Sequence, residues 1–185
     1  MAHEETIFQL MEILKVADKQ IIADIMAAKG HWTAGTSAVN NSYKSLCNLC
    51  DLGKLTKGDG YFKLTDCKSE YREHARLITQ ALAEILKLPL DSTIYREITI
   101  PDVGLRPDAI CLITKNNQGF CFILEVCNNE TPEYLQSKIN VWNNWPNDTA
   151  FLSELFGYRI PHYDIMPVTV LDGFKAFLKE EICAI

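Results

Sequence analysis

Apolar residues recur at helical spacing along the first third of the chain. Ile7, Leu10, Met11 and Leu14 share one face of residues 4–17, the i, i+3, i+4, i+7 pattern of an amphipathic helix. Asp18 then stands where an N-cap belongs, ahead of a second helical pattern over residues 19–29 that Gly30 stops. Thr36 or Ser37 is placed to cap a third helix, whose apolar stripe reads Val39, Tyr43, Leu46, Leu49 and Cys50 and which ends at Gly53. There the period changes from helical to alternating. Two short segments flank Lys57-Gly58-Asp59-Gly60, and Asp-Gly between alternating segments predicts a tight hairpin.

Past Thr65 the pattern opens a second part. Leu77, Ile78, Leu82, Ile85 and Leu86 mark an amphipathic helix over residues 69–88, and Pro89 lies just past its end. Ile94, Arg96, Ile98 and Ile100 alternate with their neighbours and predict a strand over 92–101. Residues 106–114 and 119–127 predict two more strands joined by a turn. The last of these is apolar almost throughout until Glu125, which suits a central strand covered on both faces. Thr131 caps a predicted helix over 131–145 with Pro132 in its first turn. A strand over 163–172 and a helix over 173–185 complete the order. The expected class is α/β (α+β), with residues 1–65 as one domain and 66–185 as a second built on a mixed central sheet.

Net charge is −6, which argues against a chain coated for nucleic acid. The balance is uneven, because residues 1–64 carry seven lysines against seven acids and the remainder carries the whole deficit. A nucleic-acid surface is therefore expected to be local and to lie in the first third. No apolar run approaches the length of a membrane span, and the acidic start lacks the basic-then-apolar order of a secretory signal. Those features, with seven cysteines in an odd set scattered among apolar residues, give the expectation of a cytoplasmic protein with reduced thiols. Cys47 and Cys50 form a lone CxxC without two further ligands at zinc spacing, so two helical thiols are the plain reading.

The order helix, helix, helix, hairpin over residues 4–65 resembles a winged helix-turn-helix. The resemblance implies that the third helix enters the major groove of double-stranded DNA and that the hairpin touches the backbone. Ser37, Asn40, Asn41 and Lys44 would face the DNA from the helix, and Lys54, Lys57 and Lys63 from the hairpin. Asparagine pairs with adenine, and lysine and serine hold phosphate. A protein-interaction face is the alternative, since this segment has no arginine and no net positive charge.

The second part carries acids at strand ends. Pro107-Asp108 opens one predicted strand, and Glu125-Val126-Cys127 closes the next. Glu73 or Glu70 lies on the preceding helix, and Gln136 and Lys138 lie on the following one. This arrangement resembles the PD-(D/E)xK, restriction-endonuclease-like superfamily. More narrowly, the hairpin-bearing start with Glu73-His74, Arg106-Pro107-Asp108-Ala109, Glu125, Thr131 and Lys138 looks like the replication-relaxation family of plasmids and other mobile elements. The resemblance implies a DNA-processing or replication-control role for such an element (plasmid, phage or transposon). An active member would use Mg2+ or Mn2+ held by Asp108 and Glu125, with Glu73 as a further acid and Lys138 supplying positive charge. Magnesium takes hard oxygen ligands and generates a hydroxide.

Cys127 departs from the superfamily pattern, which has lysine there, and from the family, which commonly has an acid. Three readings stay open. Lys138 replaces the missing lysine and the site cuts DNA; or the fold is kept without cleavage, for DNA binding or dimerisation; or the resemblance is accidental and the acids are ordinary strand-end surface groups. A protein-interaction regulator without a DNA role is the further alternative, favoured by the acidic second part. Arg106 is read as a phosphate clamp or a surface ion pair, Trp142 and Trp145 as core rather than base-stacking platforms, and His74 as structural. Winged-helix proteins often form homodimers, though no feature here fixes the oligomeric state.

Overall fold

The computed structural model describes residues 2–67, 73–100, 104–115, 118–127, 131–145 and 148–183. The chain divides into two compact units, Met1–Pro89 and Leu90–Ile185. Among the described residues they hold seven α-helices and two sheets of three and four strands, an α+β fold.

In the first unit, α1 (Ala2–Leu14) buries Ile7, Met11 and Leu14. It stops short of the predicted end because Lys15 takes φ +62°, a left-handed conformation that costs an L-residue with a side chain. Val16 and Ala17, expected in the helix, instead form strand β1 (Val16–Ala17). Strands β2 (Leu55–Lys57) and β3 (Phe62–Leu64) form the expected hairpin, and the sheet order is β1-β3-β2, antiparallel throughout. Asp18 caps α2 (Lys19–Ala28) by accepting from the Gln20 and Ile21 amides at 2.8 and 2.9 Å.

Helix α3 (Thr36–Asp51) departs from its predicted start and stripe. Gly35, at φ +127°, is its N-cap, and neither Thr36 nor Ser37 caps it. The buried row is Ala38, Ser42, Leu46 and Leu49. Tyr43 is therefore displaced to the rim and is 40% exposed, and Val39 and Cys50 are half-buried. The Ser42 hydroxyl is buried without a hydrogen-bond partner among the described residues.

Helix α4 (Glu73–Leu86) buries Ile78, Leu82, Ile85 and Leu86, as its spacing predicts. Its buried Thr79 hydroxyl donates to the Val16 carbonyl at 3.0 Å. This tie to the β1 backbone places α4 with the first unit. The boundary thus falls at Pro89, where the sequence pattern suggests Thr65.

The second unit is a four-stranded sheet, β4 (Asp91–Arg96), β5 (Ala109–Lys115), β6 (Gln118–Val126) and β7 (Asp164–Val168), in spatial order β4-β5-β6-β7. The first two pairings are antiparallel and the last is parallel. β4 ends earlier than predicted because Glu97 adopts φ +57°. β6 alternates between two covered faces. On one, Cys121 and Ile123 join Ile110, Leu112, Trp142, Trp145, Leu152 and Ile160 in a single core. These side chains come from the sheet, from α5 (Pro132–Asn143), from α6 (Asp148–Phe156) and from the loops after each helix. On the other, Phe120 and Phe122 meet Phe177 and Phe174 of α7 (Leu171–Phe177), which runs on into a π-helical turn, Leu178–Ile182. Helix α6 is an addition to the elements that the pattern predicts. β7 is the last strand on its side of the sheet and carries Pro167.

Candidate functional site

The β5–β6 register brings the two predicted acids together. Ala109 faces Leu124 across an antiparallel pair, so Asp108 and Glu125 are the next opposed positions and share the α5 face of the sheet. Asp108 is half-buried, and its Oδ2 accepts from the Val126 amide at 2.7 Å. Glu125 is 3% exposed. Its Oε2 accepts from Lys138 Nζ at 3.1 Å, and its Oε1 from the Trp142 indole Nε1 at 2.9 Å. Lys138 and Trp142 sit four residues apart on α5 and so present to the same strand end. Thr131, whose Oγ1 accepts from the Tyr134 amide, fixes where that helix begins.

Burial raises the Glu125 carboxyl above its usual range; Lys138 opposes the rise and the Asp108 charge adds to it. Cys127 is half-buried just past β6, with its thiol 3.7 Å from the Glu125 carbonyl and its amide donating to the Val168 carbonyl.

Both Glu125 oxygens thus meet N–H donors, and one Asp108 oxygen meets a backbone amide. Among the described residues, no group of three or more His, Cys, Asp or Glu side chains stands ready to hold a metal ion. Magnesium needs several hard oxygens with open positions for water. The arrangement does not fit the ion that the resemblance implies.

The remaining candidates divide. Glu73 opens α4 in the first unit, exposed, whereas Asp108, Glu125 and Lys138 belong to the second; Glu70 lies outside the described residues. Gln136 bonds Asn140 along the exposed side of α5. Arg106 pairs with Glu97 at 2.7 Å and also donates to its carbonyl. Trp142 and Trp145 are buried in the core. Cys47 and Cys50 are half-buried free thiols.

A second constellation lies on α3. Ser37, Asn40, Asn41 and Lys44 are all exposed, at spacings that place them on one helical face. The hairpin joins this region through Lys57, whose Nζ donates to the Tyr43 hydroxyl at 2.8 Å and lies 4.9 Å from the ring centroid. Lys19, at the start of α2, lies 5.5 Å from the same ring. Phe62 supports the ring edge-on from β3. Lys57 is held more firmly protonated than usual, chiefly by its bond to Tyr43.

The other hairpin lysines are placed differently. Lys54 lies over the Phe8 ring of α1 at 4.4 Å, and Lys63 is half-buried on β3 opposite Thr56 and Val16. Sequence reasoning missed Lys19, which carried no periodic signal, and Tyr43, whose helical spacing placed it in the core stripe.

No family model, curated protein or solved structure matches this chain. Among the described residues, no helix is long and apolar enough to cross a membrane.

Proposed function

We propose that this chain is a DNA-binding protein serving DNA processing or replication control on a mobile element, with a winged-helix first unit and a nuclease-type second unit kept without cleavage. The observation that carries this reading is the α3 face. Ser37, Asn40, Asn41 and Lys44 form an exposed row, and Lys19 and Lys57 flank Tyr43 beside it. Asparagine amides are suited to base edges and ammonium groups to phosphates. The order α1-β1-α2-α3-β2-β3 with sheet order β1-β3-β2 supports the winged-helix assignment. The loss of cleavage rests on Glu125, whose carboxylate is buried and bonded to Lys138 and Trp142.

A second reading is favoured by one observation. Lys138 meets Glu125 from α5, beside Asp108, where an active endonuclease would need positive charge. Supercoiled plasmid incubated with Mg2+ or Mn2+ separates the two, beside an Asp108→Ala, Glu125→Ala control. The binding reading expects a salt-sensitive gel shift with double-stranded DNA and unchanged plasmid topology. Metal-dependent nicking that the double variant abolishes would establish the endonuclease. Neither a shift nor cleavage would leave a protein-interaction regulator.

A further inference from the structure

The second unit holds a cleft of about 400 Å³ that plays no part in the reading above. It is bounded by Ile139 and Asn143 of α5, by Asp148 and Thr149 at the start of α6, and by Pro161 to Ile165 leading into β7. Ile139 and Asn143 follow Lys138 and Trp142 by one residue each, so the cleft occupies the neighbouring row of the same helix. It sits by the first residues of β7, whereas Glu125 lies beside Pro167 near the strand's end. At about 3.3 Å per residue, roughly 10 Å separates them.

The size falls in the range of small-molecule sites. The lining combines acceptors with apolar walls. Asp148 is fixed in direction, its Oδ1 accepting from the Thr149 amide at 2.6 Å. The Tyr163 hydroxyl donates to the Trp142 carbonyl at 2.9 Å, beside the Asp148 carboxylate. Burial first, and then the Asp148 charge, hold the Tyr163 phenol well above its ordinary range, so it stays protonated and keeps that bond. Asp164 supplies a second carboxylate, and His162 and Asn143 add ring nitrogens and an amide. Among the described residues, neither Asp148 nor Asp164 forms an ion pair with lysine or arginine.

Two carboxylates that form no ion pair with lysine or arginine among the described residues repel anions, which disfavours a nucleic-acid phosphate. Among the described residues, no donor set assembles for a metal. A group that brings positive charge and N–H donors on a short apolar body satisfies all the walls at once. We infer that this cleft binds a small organic cation, a protonated amine or guanidinium, through Asp148 and Asp164, with Tyr163, Ile139 and Ile165 packing its apolar part. The site stands independently of the α3 face.

The test is an NMR titration of the full chain with agmatine, following the Tyr163 and His162 ring signals, with butyrate as the anionic control. Agmatine is expected to shift both rings saturably and butyrate to leave them still. Asp164→Asn, at an exposed strand start, keeps the fold and is expected to weaken binding about tenfold. Asp148→Asn is expected to do so at least as strongly. The proposal is overturned if agmatine moves neither ring, if butyrate acts equally, or if Asp164→Asn binds as the parent does. Saturation by Mg2+ or Zn2+ alone, or by an arginine-rich peptide but not agmatine, would also overturn it.

Discussion

The candidate sites of the two units dispose of their lysines in opposite ways. In the first, Lys19 and Lys57 gather around the exposed Tyr43, a partner that leaves their charge undiminished. In the second, Lys138 turns inward to Glu125, a carboxylate it neutralises. The cation–π contact is worth little at an exposed site, so the first pair remains available to an external anion. The second pair is committed to the fold, because separating a buried carboxylate from its partners costs far more than separating groups in water. Positive charge in the sequence is therefore a poor guide to positive charge available for binding.

Breaking the inward pair gives the largest expected effect. Glu125→Ala leaves the Trp142 N–H without its acceptor and removes the carboxylate that Lys138 meets, and is expected to lower the unfolding free energy by about 2–3 kcal/mol, measured by urea denaturation. The pH dependence sharpens the same point. The Glu125 carboxyl is raised in the folded state, first by burial. The folded chain therefore holds this proton more tightly than the unfolded chain. That contribution is full below the ordinary carboxylate range and is lost as pH rises through the raised value. Glu125→Gln cannot titrate, so denaturation across about pH 4 to about pH 8 should show a shallower fall in stability for the variant.

The outward pair should act on binding and leave stability almost unchanged. Lys19→Ala with Lys57→Ala is expected to weaken duplex DNA binding about tenfold and to reduce the slope of log affinity against log salt by roughly 2, read by fluorescence anisotropy. An unchanged slope would remove these lysines from the interface. The smallest effect concerns a neutral group. Ser42→Ala removes a buried hydroxyl that lacks a partner among the described residues and should stabilise the protein by about 1 kcal/mol in thermal denaturation.

Elements with strong local signals were legible in the sequence. The Asp18 cap, the Thr131 cap with Pro132, the hairpin at residues 57–60 and the apolar run of β6 each carry their cause within a few residues. Three features were not legible. β1 depends on the left-handed Lys15, which no residue-type rule flags in lysine. The α3 stripe shifted because the packing buries Ser42 and leaves Tyr43 at the rim, against the polarity of both. Helix α6 is short, and its apolar residues crowd together at Phe151, Leu152, Leu155 and Phe156. Within the candidate site, the spacing of Asp108, Glu125 and Lys138 placed three residues that the structure brings together. The role of Trp142 was hidden, because an indole reads as core until its N–H is followed to an acceptor.

Pro167 bears on how copies of this chain meet. The Val168 carbonyl accepts from Cys127 beside β6, so the backbone of the preceding residue points away from the sheet. At that outward position a proline offers no N–H. The rim of β7 is therefore missing a donor where a fifth strand would dock, and it is a poor template for edge-to-edge growth into aggregates.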